Sequence, residues 1–395
     1  MFYRNVKESS VGRCLGDNKC LNMNLLTACL LFLILITVPS LSYAGKKFKI
    51  DDNHWVSIGL GLRTSFISID GGAPDGGRKN DFDTESIRLL FSAQLHEKIK
   101  FTFNTEEIVS DGPVDVLESF AQFELDPLFN IWVGKMLTPA DRIALNGPYN
   151  GLSWNQFTQP LYPSARGGAA GRLGRDYGVT VWGTSGKFRY AVGVFDGLDG
   201  FGNHSDDLLF AGRLAYNFLN KEDNPGYYTS GTYHGKLGNI LTLGVSFQSQ
   251  DGGTGSATKS GDFRGYTIDL LSETIFKNGG VLNVEAEYKK FDADFTIENP
   301  TADACFCLFD GDSYFALFGY LFPGGSKGRF QPYVRFVENS PSDAPNSNLT
   351  EVGLNYVISG HNARLNLNFS SGDANISGYR GPDRDSILFG LQLKF

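Results

Sequence analysis

Beyond residue 44 no stretch of this chain is apolar for the roughly 20 residues that a membrane-crossing helix needs, yet short segments with apolar residues at every second position recur to its last residue. Side chains along a strand alternate between two faces, so each such segment offers one apolar face and one polar face. A strand needs only about 9 to 11 residues to cross a bilayer. The clearest example starts at Trp55, where Val56, Ile58, Leu60, Leu62, Thr64 and Phe66 alternate with Ser57, Gly59, Gly61, Arg63 and Ser65. The chain closes on another, with Ile387, Phe389, Leu391, Leu393 and Phe395 on one face and Leu388, Gly390, Gln392 and Lys394 on the other. Unpaired amides of an open sheet edge are not tolerated in lipid, so strands that cross a membrane must close on themselves.

Sixteen segments fit the pattern, at residues 55–66, 87–95, 99–107, 116–125, 129–137, 177–184, 188–195, 208–218, 240–248, 266–276, 281–290, 314–322, 330–337, 349–358, 363–369 and 386–395. They predict an all-β fold, a transmembrane antiparallel up-and-down barrel of about 16 strands (18 as the alternative), with periplasmic N- and C-termini. The connections obey the same logic, long and short in turn. Asp70 to Asp81, Thr138 to Asp176, Asp196 to Asp207, Asp251 to Asp262, Asp292 to Asp312, Asn339 to Asn348 and Gly372 to Asp385 read as outward loops. His96 to Lys98, Asp126-Pro127, Thr184 to Lys187, Lys277 to Gly280 and Ser359 to Asn362 read as tight inner turns. Two connections depart from the rule: Ser110 to Pro113 is short for an outer loop, and Asn220 to Asn239 is long for an inner turn. A barrel of this strand number leaves a water-filled lumen, whereas one of about eight strands fills with its own side chains.

Residues 1–44 read as a secretory signal. Asn24 to Val38 is almost wholly apolar, preceded by Arg4, Lys7, Arg13 and Lys19 and followed by Pro39 and Ser42-Tyr43-Ala44, with cleavage expected after Ala44 and Met23 as an alternative start. Leu26-Thr27-Ala28-Cys29 lies ahead of most of the apolar core, so it is not read as a lipoprotein box. Residues 45–395 then form one barrel domain. Of 35 basic and 43 acidic residues, the first 44 positions hold four and two, which leaves 31 and 41 and a net charge of −10. An acidic balance of this size argues against a nucleic-acid partner. The 48 glycines, 32 phenylalanines and 17 tyrosines suit the curvature and aromatic rims of a barrel.

Cys305 and Cys307 flank Phe306 in an outward loop. Residues two apart in an extended strand lie near the upper limit for a bridge, so a disulfide there requires the loop to tighten. No Cys-x-x-Cys-His motif and no glycine-rich phosphate loop occurs, so no cofactor and no metal is expected, and His54, His96, His204, His234 and His361 fall at turns or strand ends in no enzymatic pattern.

Four short passages carry a family resemblance: Val133-Gly134-Lys135-Met136-Leu137-Thr138-Pro139 followed by Arg142; Phe188-Arg189-Tyr190-Ala191-Val192-Gly193-Val194-Phe195-Asp196-Gly197; Gln331-Pro332-Tyr333-Val334-Arg335; and Ala363-Arg364-Leu365-Asn366-Leu367-Asn368-Phe369. In them the chain resembles the phosphate-selective porins, the porins O and P. The resemblance implies a sixteen-strand outer-membrane channel, commonly a homotrimer, that passes anions through a basic constriction. The ladder of closely spaced arginines and the lysine cluster of the selective members are not found here. The terminal Phe395 resembles the signal by which outer-membrane proteins engage the barrel-assembly machinery.

Alternation places Arg63, Arg88, Lys100, Arg189, Arg213, Lys289, Arg335, Arg364 and Lys394 on the lumen wall, with Glu106, Glu118, Glu124, Asp269, Glu285, Glu287 and Glu351. Charges on the lipid face would cost about 2–4 kcal/mol each near the midplane. The nearly balanced wall shifts attention to loop 138–176, which holds Arg142, Arg166, Arg172 and Arg175 against Asp141 and Asp176, with Tyr149, Trp154, Phe157 and Tyr162 between them. Folded inward, it would narrow the pore and offer guanidinium forks to small anionic solutes; folded over the mouth, it would bind phosphates of lipopolysaccharide. Two function classes follow: a passive diffusion channel for small polar, anionic solutes, and a scaffold barrel that sheathes a partner such as a multihaem cytochrome or acts as a surface adhesin. The reading adopted is the channel, without enzymatic activity.

Overall fold

The computed structural model describes residues 45–107, 114–162, 174–198, 205–256, 259–294, 309–325 and 327–395. A short lead strand, β1 (Lys46–Lys49), is followed by β2 (Trp55–Ile69), β3 (Lys79–His96), β4 (Ile99–Glu107), β5 (Asp115–Asp126) and β6 (Phe129–Leu137). A helix, α1 (Arg142–Asn150), precedes β7 (Arg175–Ser185), β8 (Phe188–Phe195) and β9 (Leu209–Asn217). The remainder comprises β10 (Ile240–Ser256), β11 (Lys259–Ile275), β12 (Val281–Ala293), β13 (Gly311–Leu321), β14 (Arg329–Pro341), β15 (Ser347–Ser359), β16 (Ala363–Gly372) and β17 (Arg384–Lys394).

Strands β2 to β17 pair antiparallel in sequence order, and β17 returns to β2 with Leu391 opposite Thr64 and Phe389 opposite Phe66. The result is the closed sixteen-strand barrel that the alternation predicts. Backbone amides are thus satisfied all round, as lipid requires. In β12 every odd residue from Val281 to Ala293 is buried against the lumen contents, while Tyr288 and Lys290 of the other face are exposed. Phe188, Tyr216, Phe218, Phe276, Phe322 and Phe330 stand exposed at the end that carries the termini, taken here as the inner rim. Tyr177, Phe210, Tyr266, Tyr288, Tyr314 and Phe336 stand toward the other. Two aromatic belts with aliphatic residues between them are the lipid-facing profile of a membrane barrel.

The structure corrects several boundaries. The span Asp251 to Asp262 is largely strand, because β10 runs to Ser256 and β11 starts at Lys259 in one long hairpin, with an irregularity between Gln250 and Thr254. Strand β3 starts at Lys79, where polar side chains on both faces hide the pattern. A bulge between Arg63 and Thr64 shifts the pairing of β2 with β3. β1 pairs with β2 below the terminal strand, and the Phe395 amide and carbonyl bond to Leu60. Ser110 to Pro113 and the pair Cys305 and Cys307 lie outside the described residues.

Candidate functional site

The lumen is entered by two segments, one from each end of the barrel. From the outer end, residues 138–162 turn inward after β6. Asp141 caps α1 by accepting from the Ala144 amide at 2.8 Å, and its other oxygen accepts from Lys289 Nζ on β12 at 2.9 Å. The cap satisfies an orphan amide and ties the helix start to the wall. The helix kinks at Gly147, whose φ of +60° suits glycine, just before Pro148. The chain then crosses the lumen past the wall. Arg364 donates to the Gly151 carbonyl at 2.7 Å, Asn355 to the Leu152 carbonyl at 2.9 Å, Gln159 to Ser313 Oγ at 2.8 Å, and the Tyr162 hydroxyl meets Thr267 Oγ1 at 2.8 Å. Trp154 donates to Glu85 at 2.8 Å, and the Arg63 and Arg364 guanidinium groups lie 4.0 and 5.6 Å from its ring. Two wall glycines make room for this crossing: a Cβ on Gly390 would fall 2.5 Å from the Trp154 ring, and one on Gly61 2.9 Å from Tyr149.

From the inner end, residues 218–239, between β9 and β10, rise into the lumen and meet α1. Glu222 accepts twice from Arg142, at 2.7 and 2.9 Å, and Tyr233 donates to the same carboxylate at 2.7 Å. Burial alone would raise the Glu222 carboxyl, but the Arg142 guanidinium holds it down at about 2. The Thr229 hydroxyl donates to the Arg142 carbonyl at 2.9 Å and the Gly231 amide to the Asn150 carbonyl at 3.0 Å. Tyr227 and Tyr228 pack on Trp132 of β6, with ring centroids 5.2 and 5.5 Å away. On the opposite wall Thr232 and the Tyr233 amide donate to Glu273, at 2.6 and 2.8 Å, and His361 Nε2 lies 2.8 Å from the Thr232 carbonyl.

Between these two segments and the wall two cavities remain. On the β2–β6 side lies a cavity of about 250 Å³ bordered by Arg63, Glu85, Trp154 and Phe157, and another of about 350 Å³ bordered by Gln122, Asn146, Asn224 and Lys394. Arg88 and Arg175 border both. Arg88 donates to Glu106 at 2.6 Å and faces the Tyr149 ring at 4.9 Å, and Arg175 Nε lies 3.4 Å from Glu118.

Of the loop arginines read from the sequence, Arg175 lines the cavities, while Arg166 and Arg172 lie outside the described residues. Arg142 is fully buried and makes four hydrogen bonds within the lumen contents, two to Glu222, one to Asp269 at 3.3 Å and one to the Ser230 carbonyl at 3.0 Å, and borders neither cavity. Among the wall arginines, Arg213 is held by Asp269 at 2.8 Å, Arg335 by Glu351 at 2.8 Å, Arg189 by the Glu222 carbonyl at 3.2 Å, and Arg63 by the Trp154 carbonyl at 3.0 Å and by Glu85 at 3.2 Å. The inner segment is the part that sequence reasoning missed. Its signal was present: Phe218, Tyr227, Tyr228 and Tyr233 are more aromatic surface than a solvated turn would carry.

No protein-family model matches this chain, and no curated protein does. Among solved structures it is similar to the anion-selective porin from Comamonas acidovorans, at 16% identity, 87% of this chain, 100% of that one and a TM-score of 0.57. It is also similar to OmpT of Vibrio cholerae (12%, 89% and 100%, TM-score 0.55) and to Salmonella typhi OmpF solved in complex with daunomycin (10%, 89% and 100%, TM-score 0.58). The shared fold is the closed sixteen-strand barrel of bacterial outer-membrane porins, and the two aromatic belts make this chain an integral membrane barrel of that architecture.

Proposed function

We propose that the barrel is a passive outer-membrane diffusion channel for small polar solutes, with a preference for anions imposed where Arg88 and Arg175 border both lumen cavities. That shared border is the observation that carries the reading: a solute passing from one cavity to the other meets these two guanidinium groups. Both are paired with wall carboxylates, Glu106 and Glu118, and a passing carboxylate or phosphate competes for the same donors. Lys394 adds positive charge on the inner side of the path. No energy input is needed, since sieving by the two inserted segments and electrostatic preference at the border suffice. The anion-selective porin that shares the fold supports the reading, and so does the likeness of four strand motifs to the phosphate-selective family, which makes phosphate the first solute to try. A homotrimer in the membrane, contact of outward loops with lipopolysaccharide, and assembly through Phe395 belong to the same proposal; one of the similar structures, OmpT, was solved in a trimer form.

The alternative of a sheath around a multihaem cytochrome is disfavoured, because residues 138–162 and 218–239 of the chain itself occupy the bore. The test is a planar-bilayer recording of the purified protein under a potassium chloride gradient, followed by addition of phosphate. Discrete conductance steps with an anion-shifted reversal potential are expected, and the shift should shrink in the double variant Arg88→Gln, Arg175→Gln. A cation-shifted potential, or one unmoved by both substitutions, overturns the assignment.

A further inference from the structure

The connection between β9 and β10 is longer than its task demands. The ladder between these strands continues past their ends, with the Phe218 amide bonded to the Leu241 carbonyl at 2.7 Å and the Asn220 amide to the Asn239 carbonyl at 3.1 Å. Asn220 and Asn239 are therefore already opposed, and a two-residue hairpin turn would close the gap. The chain instead inserts Lys221 to Gly238 and directs them into the lumen. This excursion is anchored on three sides: by Glu222 on Arg142 of α1, by Tyr228 on Glu118 of β5 at 3.0 Å, and by Thr232 on Glu273 of β11. Its aromatic residues cover Trp132, and the Gly231 carbonyl accepts from Asn283 of β12 at 3.1 Å.

We propose that residues 221–238 form a second constriction element, entering from the inner end, that sets the size of the pore by sealing one side of the lumen and by holding α1 in place, with Glu222 as the positioning residue. The inference rests on the reading of the barrel as a channel. Arg142 of α1 draws three of its four hydrogen bonds from this excursion, two from Glu222 and one from the Ser230 carbonyl, and without it keeps only Asp269. An occupant of the lumen supplied from the inner end makes the limiting cross-section a property of two segments that meet, so that either can change it.

The test replaces Lys221 to Gly238 with an Asn-Gly turn and compares unitary conductance and the exclusion limit for neutral sugars with those of the full chain. A severalfold larger conductance and a raised exclusion limit are expected. Unchanged values in a folded barrel overturn the inference while leaving the channel assignment intact. A silent full-length chain that conducts once shortened supports the inference and instead overturns the assignment of an open channel. Folding is read from the heat-dependent shift of the barrel on a denaturing gel. If the shortened chain lacks that shift, Glu222→Ala and Glu222→Asp are compared with Asn283→Cys as reporter, in a background with Cys305 and Cys307 changed to Ser. Faster labelling of the cysteine with Ala at position 222, restored to the slow rate by Asp, supports the positioning role, and equal rates in all three overturn it.

Discussion

The two sides of the lumen are built from similar residues and do different things with them. On the side of β9 to β15, charged wall residues are consumed in fixed pairs: Arg213 with Asp269, Lys289 with Asp141, Arg335 with Glu351. On the side of β2 to β6, Arg88 with Glu106 and Arg175 with Glu118 are also paired, but they border open volume. The lesson is that a charge count along the wall does not predict the pore. What decides is whether the pair also borders open volume, as Arg88 and Arg175 do although Tyr149 lies on the one and Tyr228 on the partner of the other.

The sharpest way to break the comparison is to remove one charge from each side. Arg142→Ala leaves Glu222 and Asp269 buried without their shared partner, and loss of one member of a buried pair costs about 3–5 kcal/mol. The thermal midpoint of the folded barrel should fall markedly, whereas Arg88→Ala should move it far less and act on the reversal potential instead. Equal losses of stability from both would erase the distinction. A smaller effect is expected from Gly390→Leu, which drives a side chain into Trp154; overpacking costs about 1–3 kcal/mol, and the loop should lift with a noisier, larger conductance in single-channel records.

Acid should loosen the inner segment before it harms the barrel. Burial, with Arg364 nearby, depresses the His361 imidazole from 6.5 to about 3, so its contribution is complete above pH 6.5 and declines as pH falls toward 3. Glu222, held at about 2 against an ordinary 4.5, contributes fully above pH 4.5 and is lost as pH falls toward 2. Cysteine labelling at position 283, divided at each pH by the rate for a free thiol so that the loss of thiolate cancels, should therefore be low at pH 7.5 and rise stepwise below 6.5, and a flat ratio from 7.5 to 3 would contradict this account. The smallest change expected is Lys394→Gln, which should lower anion preference slightly with stability within about 0.5 kcal/mol of the parent.

The barrel was legible because lipid imposes a period of two on every crossing strand, and all sixteen segments read from alternation correspond to strands β2 to β17. Where lipid does not impose it, the reading fell short: Lys79 to Ser86 of β3 and the outer half of the β10–β11 hairpin are strands that stand beyond the apolar belt. The lead strand Lys46-Lys47-Phe48-Lys49 is too short and too basic to signal itself. At the candidate site, inward placement of the arginines follows from alternation, but their availability does not. Arg142 and Arg175 look alike in sequence and both are buried, but Arg142 is taken by Glu222, eighty residues away, whereas Arg175 borders the cavities.

The first and last strands of the barrel wall, β2 and β17, are joined by more than their own ladder. Arg63 of β2 binds the Pro148 and Trp154 carbonyls, Gln392 of β17 binds the Tyr149 carbonyl at 3.0 Å, and Arg364 of β16 binds the Gly151 carbonyl. The lumen segment thus rivets the seam from within. Because its seat is made of both margins, it exists only once they have come together, so the seating of Trp154 reports that the cylinder has shut and resists its being peeled open again.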